Sequence, residues 1–148
     1  MDYEAVNQTK WEYFRLIFKQ EGEKVLASGE FGEFFNANKE WLQPYAVFSY
    51  LRDAFQTPNF REWPRHSVYN AQDIEKMCRP ESVDYPHIAL YYYIQFHLHL
   101  QLVAATKYAR EHGVVLKGDI PIGISATVWK HGPNLITSIS TGRRAPLR

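Results

Sequence analysis

The sequence predicts a mostly helical chain that carries one β-strand. Three observations lead there. Apolar residues recur at helical spacing over residues 45–55, at Val47, Phe48, Leu51, Ala54 and Phe55. A longer run of the same kind covers residues 87–111. Gly113 follows it where a helix-ending glycine belongs, and then comes Val114-Val115-Leu116-Lys117-Gly118-Asp119-Ile120, which reads as a buried strand. Helix, glycine turn and apolar strand make one step of a parallel-sheet protein. One strand is not a sheet, so its neighbours must lie in another copy or in a longer chain. No internal repeat supplies them.

The elements follow in order. Asn7 is placed to cap a helix through Trp11, Phe14, Leu16, Phe18 and Val25, with Gly22 weakening it partway. Ser28-Gly29 breaks it. A short helix is expected around residues 31–35, and Asn38 is placed to cap another. Pro44 sits where a helix starts afresh. Thr57-Pro58-Asn59 ends the helix over residues 45–55, and Trp63-Pro64 reads as an ordered loop. Asn70 followed by Asp73 resembles a capping box for a short helix to Met77. Asp84-Tyr85-Pro86 marks the start of the long helix. Its main stripe is Tyr91, Ile94, Leu98, Leu102, Ala105 and Ala109, but other faces are apolar too, so it wants cover on several sides.

Composition narrows the function. The 148 residues fit one domain but fall short of a complete (β/α)8 barrel, which needs about 250. With 45% hydrophobic residues there is apolar surface for a real core. A net charge of +1 gives no reason to expect nucleic acid or an anionic membrane as partner. The single Cys78 excludes an internal disulfide and suggests a reducing, cytoplasmic setting. No signal peptide is visible, and Gln95, His97, His99 and Gln101 interrupt the most apolar stretch, which argues against a membrane span.

The charge conceals a break. Residues 1–125 hold all 16 acidic groups and 13 of the 17 basic ones, a balance of −3. Residues 126–148 hold Lys130, Arg143, Arg144 and Arg148 and no acid. Of 23 aromatic residues only Trp129 lies there. Composition alone reads this stretch as a disordered basic tail.

Few residues offer chemistry. His97 and His99, two apart on a helix, point to different faces and do not easily share a metal. Cys78 lacks a CxxC partner and a nearby His, so it is not expected to act as a nucleophile; no glycine-rich phosphate loop occurs, and neither metal nor cofactor is expected. Tyr91-Tyr92-Tyr93 reads as core and interface. Phe60, Trp63 and Pro64 either line a sugar site or form a loop anchored by a buried Trp63. Asp119, flanked by Gly118 and Pro121, stands near the carboxyl end of the expected strand, which is where parallel α/β folds carry chemistry. The other reading of Asp119 is a carboxylate that holds the next loop. It is the last acid in the chain, and glycoside chemistry commonly needs two.

Two stretches resemble a known family. One is Ser49-Tyr50-Leu51-Arg52-Asp53-Ala54-Phe55 continuing to Pro58-Asn59-Phe60-Arg61-Glu62-Trp63-Pro64. The other is the long helix with Gln95 and Gln101 leading into Gly118-Asp119-Ile120-Pro121-Ile122-Gly123. Together they resemble the amylomaltases, or 4-alpha-glucanotransferases, and Trp41-Leu42-Gln43-Pro44-Tyr45-Ala46 is most similar to the long plant and Bacteroides-type form. The resemblance covers residues 1 to about 125. It implies a TIM (β/α)8 barrel with a helical insertion, with residues 1–80 in the insertion and residues 81–125 supplying a barrel helix and strand. It implies cleavage of an α-1,4 bond and transfer of the glucan to a sugar acceptor. Substrate binding would fall at Asp119, Pro121 and Trp63. The family's nucleophilic Asp and acid/base Glu have no counterpart here, so the chain resembles an internal piece of such an enzyme, inactive alone.

The resemblance departs after Ser125. With one nucleotide added before codon 126, one choice of codons reads Arg-Asn-Ser-Val-Glu-Ala-Trp-Thr-Glu-Pro-Tyr-Tyr-Phe, close to the family's continuation. Residues 126–148 are therefore expected to be an out-of-frame tail. The encoding DNA decides this: if no frame yields the family sequence, the expectation fails. The remaining alternative is a helical protein-interaction module without catalysis. Either way, an unpaired strand and an all-round apolar helix are expected to drive self-association.

Overall fold

The computed structural model describes residues 2–117, and they form a helical assembly. In chain order the elements are α1 (Tyr3–Leu26), α2 (Gly29–Phe55), a 3-10 turn (Phe60–Glu62), α3 (Ala71–Met77) and α4 (Tyr85–Glu111). The main pairing is α2 against α4, with α1 lying on α4 and α3 on α2. Among the described residues no helix is long and apolar enough to cross a membrane.

α1 begins earlier than expected. Asp2, not Asn7, is the cap: its carboxylate accepts from the backbone N–H of Glu4 and Ala5, both at 3.1 Å. Gly22 does not interrupt the helix. It is buried, and a Cβ there would stand 2.5 Å from the Phe18 ring. The missing side chain is the space that Phe18 occupies as it meets Tyr93 edge-on at 5.4 Å. Ser28 then joins two helices: its hydroxyl donates to the Val25 carbonyl and accepts from Phe31 N–H.

The short helices expected from residue 31 onward are a single one. α2 runs through both Asn38 and Pro44. Asn38 is not a cap, because its amide donates back to the Phe34 carbonyl at 2.8 Å and accepts from the Trp41 indole at 2.9 Å. Pro44 removes one backbone bond, at a cost of about 3 kcal/mol in a helix interior. Leu42 and Val47, both wholly buried on either side of it, contribute roughly 1.5–3 kcal/mol each by burial and offset that cost. α2 ends at Gln56 in the left-handed region, with φ 56°.

α3 and α4 start where the sequence indicated. Asn70 accepts from Gln72 N–H at 2.9 Å. Tyr85 and Pro86 open α4, but the Asp84 carboxylate does not cap it; it accepts from Tyr50 Oη at 2.8 Å. Burial on α4 is confined to Ile88, Ala89, Leu90, Tyr91, Tyr92, Tyr93 and Phe96. Residues 88–93 are therefore covered on every face, while Leu98 and Leu102 of the expected stripe are exposed. One core unites α2, α3 and α4, with Leu42, Ala46, Val47, Leu51, Ile74, Ile88 and Tyr92 in it.

The expected β-strand, and with it the barrel segment, is corrected. α4 ends at His112, Gly113 takes φ 72°, and residues 114–117 are in no strand. Val114, Val115 and Leu116 are exposed. The described residues form helices and turns only, with no sheet, so they give no support to a (β/α)8 piece. The physical reason is that a strand exists only through hydrogen bonds to a neighbouring strand, and the described residues offer none. Residues 118–120, the remainder of that expected strand, lie outside the described residues, as does the expected tail at 126–148.

Candidate functional site

Asp119 and Pro121 lie outside the described residues; Trp63 does not. Trp63 is 3% exposed and sits among Phe48, Phe55 and Phe60, with ring centroids 5.5, 5.7 and 6.3 Å away. Its indole N–H donates to the Thr57 carbonyl at 2.9 Å. The ring thus ties the loop after α2 back onto α2.

His97 and His99 meet different aromatic partners. His97 stands edge-on to Tyr93 at 4.3 Å, and His99 lies 5.0 Å from Phe34. Cys78 is buried, its Sγ accepts from Tyr92 Oη at 3.1 Å, and burial pushes its thiol up. Among the described residues no three His, Cys, Asp or Glu side chains converge to hold a metal.

The polar, concave place in the described structure lies elsewhere, between α1, α2 and α4. It is an open cavity of about 200 Å³. α1 supplies Trp11 and Arg15, one helical turn apart, with the guanidinium 5.8 Å from the indole centroid. α2 supplies Tyr50 and Asp53, and α4 supplies His87 and Tyr91. Spacings of three and four residues place each pair on one helix face.

Asp53 is the hub. One carboxylate oxygen accepts from Arg52 Nε at 2.7 Å, the other from Tyr91 Oη at 2.6 Å. Burial, followed by this bond to Asp53, holds the Tyr91 phenol far above its ordinary ionisation range, so it stays a proton donor. The bond to Asp53 likewise raises Arg52. Also lining the cavity, His87 stacks on Tyr50 with centroids 5.4 Å apart and planes within 3°. Burial and the bond to Asp84 raise Tyr50 too. Trp11 leans on Tyr91 at 5.6 Å. The result is a carboxylate held by two donors, flanked by aromatic walls and open to solvent: the Asp53 side chain is 37% exposed.

Sequence reasoning did not assemble this place. Tyr50, Arg52 and Asp53 stood inside a stretch that carried the family resemblance, and that was the available signal. Trp11, Asp53 and Tyr91 are about 40 residues apart in sequence, and only helix packing joins them.

Comparison with known proteins bears on the chain as a whole. A family model described as 4-alpha-glucanotransferase matches residues 1–143. The 4-alpha-glucanotransferase DPE2 of Oryza sativa subsp. japonica is 40% identical over 145 residues, covering 96% of this chain and 15% of the rice protein. The 4-alpha-glucanotransferase of Chlamydia pneumoniae is 28% identical over 96% of this chain and 27% of its own length. That of Thermus thermophilus is 28% identical over 88% of this chain and 27% of its own. No solved structure matches the chain. The chain therefore spans roughly a seventh to a quarter of these relatives. A match that runs through α1, the loop anchored by Trp63, α4 and beyond places this chain in the 4-alpha-glucanotransferase family.

Proposed function

We propose that this chain is a portion of an enzyme that cleaves α-1,4-glucan and passes the released segment to a sugar acceptor, in starch or maltooligosaccharide metabolism. The observation that carries the reading is the 40% identity to the rice enzyme across 96% of the chain. The lower identity to the chlamydial proteins favours the long, plant-like form. The family match gives the interaction-module alternative no support of its own.

In this reading the chain binds and shapes but does not catalyse. A glycosyl transfer through a covalent intermediate commonly needs a nucleophilic carboxylate and an acid/base carboxylate about 5–5.5 Å apart. The family's motifs for them are not in this sequence. Glucan contact is proposed at Asp119 and Pro121, with Trp63 fixing the loop after α2 rather than offering an open face. A reducing, cytoplasmic compartment suits the free, buried Cys78.

Purified chain incubated with maltotriose is expected to release no glucose over an enzyme-free control. Glucose release together with longer maltooligosaccharides would show that the chain holds its own catalytic pair.

Self-association is part of the proposal. The far half of α4 exposes Leu98, Leu102, Val103 and Tyr108, and α1 exposes Tyr13, Leu16 and Ile17. Such a surface favours contact between copies. Light scattering at rising concentration is expected to give a mass above 17.4 kDa, the mass of one chain; a constant monomer mass overturns this.

A further inference from the structure

We propose that the outer face of α1 is the contact through which two copies of this chain pair, helix against helix and antiparallel. The inference rests on the self-association proposed above and deepens it by naming the surface and its register.

α1 is apolar on two sides. One side carries Trp11, Phe18 and Gly22 and lies on α4, where Trp11 meets Tyr91 and Phe18 meets Tyr93. An α-helix turns about 100° per residue, so Val6, Lys10, Tyr13 and Ile17 stand about 100–160° round from Trp11. All four are exposed. They belong to a series, Tyr3, Val6, Lys10, Tyr13, Ile17, Gln20 and Lys24, spaced alternately by three and four residues. That alternation is the seam of a paired helix, in which each side chain enters a hole on the facing helix. An open depression of about 480 Å³ lies along it, lined by Val6, Thr9, Lys10, Tyr13, Phe14 and Ile17. A contiguous apolar strip of this kind, kept in water, marks a docking face.

Charge selects the occupant and its direction. In a closed pair the contact is two-fold, so residue i meets j while j meets i. A parallel pair sets Lys10 on Lys10 and Lys24 on Lys24, like charge against like. The antiparallel register that sets Val6 against the second copy's Ile17 brings Lys10 against Tyr13 and Tyr3 against Gln20, and symmetry repeats each pairing. Lys10 then gains an aromatic face for its ammonium group, and its stem covers apolar surface. Lys24 falls at the N-terminal end of the facing helix, where Asp2 supplies the opposite charge. A single charged residue inside such a seam weakens the pair but fixes its register. One helix pair is a small interface, below about 1,200 Å² in total, so the dimer is expected to depend on concentration.

The test is cross-linking of the full chain. Val6→Cys and Ile17→Cys chains are made separately and mixed under oxidised glutathione. The mixture is expected to give a covalent dimer, and either variant alone at least tenfold less, because equal positions then lie about 16 Å apart along the helices. The parent chain, whose Cys78 is buried, is the control. Tyr13→Glu, on the exposed face, is expected to raise the dimer dissociation constant at least tenfold in light scattering. Its melting temperature at dilutions where the parent is monomeric should not change. Leu102→Glu, on the exposed part of α4, is expected to leave the constant as it was. Cross-linking strongest in Val6→Cys alone means parallel helices and overturns the register. Association lost in Leu102→Glu but kept in Tyr13→Glu overturns the seam and leaves self-association standing. A parent chain that stays monomeric overturns both, and the family assignment is untouched because it rests on the sequence.

Discussion

Trp63→Ala is expected to destabilise the fold by about 3–5 kcal/mol, the usual range for deleting a buried large aromatic side chain. Trp63 is 3% exposed and touches Phe48 and Phe55 on α2 and Phe60 on the turn that follows. Its removal opens a cavity beneath that turn and leaves the Thr57 carbonyl without its indole donor. Domains of this size have only about 5–15 kcal/mol of stability in all. The variant should therefore unfold at much lower urea than the parent, read by helical circular dichroism. Trp63→Phe separates the two contributions. It keeps a ring and drops the N–H, and should cost about 1–3 kcal/mol. A loss below about 1 kcal/mol for Trp63→Ala would mean that the loop is not anchored by this ring.

The second large effect is alkaline unfolding. Burial raises the ionisation of Tyr91 and Tyr92 far above the ordinary value of 10.0, with bonds to Asp53 and Cys78 adding to it. Both side chains are nearly inaccessible, at 7% and 1%. The sign follows from proton binding. Below pH 10 the folded and unfolded states both hold the phenol protons, and the contribution to stability is complete. Above pH 10 the unfolded chain releases them and the folded chain keeps them. Stability then falls by about 1.4 kcal/mol per pH unit for each tyrosine, roughly 2.7 for the pair. Burial lifts Cys78 above its ordinary 9.0, so a further loss begins at about pH 9. Urea midpoints measured at about pH 8, 10 and 11 should drop steeply over the last interval. Tyr92→Phe should lower that slope by about 1.4 kcal/mol per pH unit. A midpoint that holds constant from pH 10 to 11 would contradict the burial of these phenols.

The sequence located what short-range chemistry controls. The cap at Asn70, the entry to α4 at Asp84-Tyr85-Pro86 and the glycine exit at Gly113 are set by one or two turns of backbone, and the structure has them there. It also indicated the family, because the strings around Arg52-Asp53 and Trp63-Pro64 are contiguous. Where local signals misled, a remote partner had prevailed. Pro44 reads as a helix start, yet the burial of Leu42, Ala46 and Val47 against α3 and α4 carries α2 through it. Gly22 reads as a weak point, yet it makes room for Phe18 on its way to Tyr93.

The expected strand shows the limit from the other side. Val114, Val115 and Leu116 have the composition of a buried strand, but a strand is a relation between two segments, and the described residues supply only one. The cavity at Asp53 shows the same limit for function. Its residues come from three helices, and nothing in the spacing of Trp11, Asp53 and Tyr91 announces that they meet. By itself the sequence determined the cap of α3, the entry and exit of α4 and the family to which the chain belongs, because those depend on neighbours along the chain. Only the tertiary structure decided which helices fuse, that Trp63 is an anchor, and that a carboxylate clamped by Arg52 and Tyr91 lines one cavity with Trp11, Tyr50 and His87, because those depend on which faces are buried together.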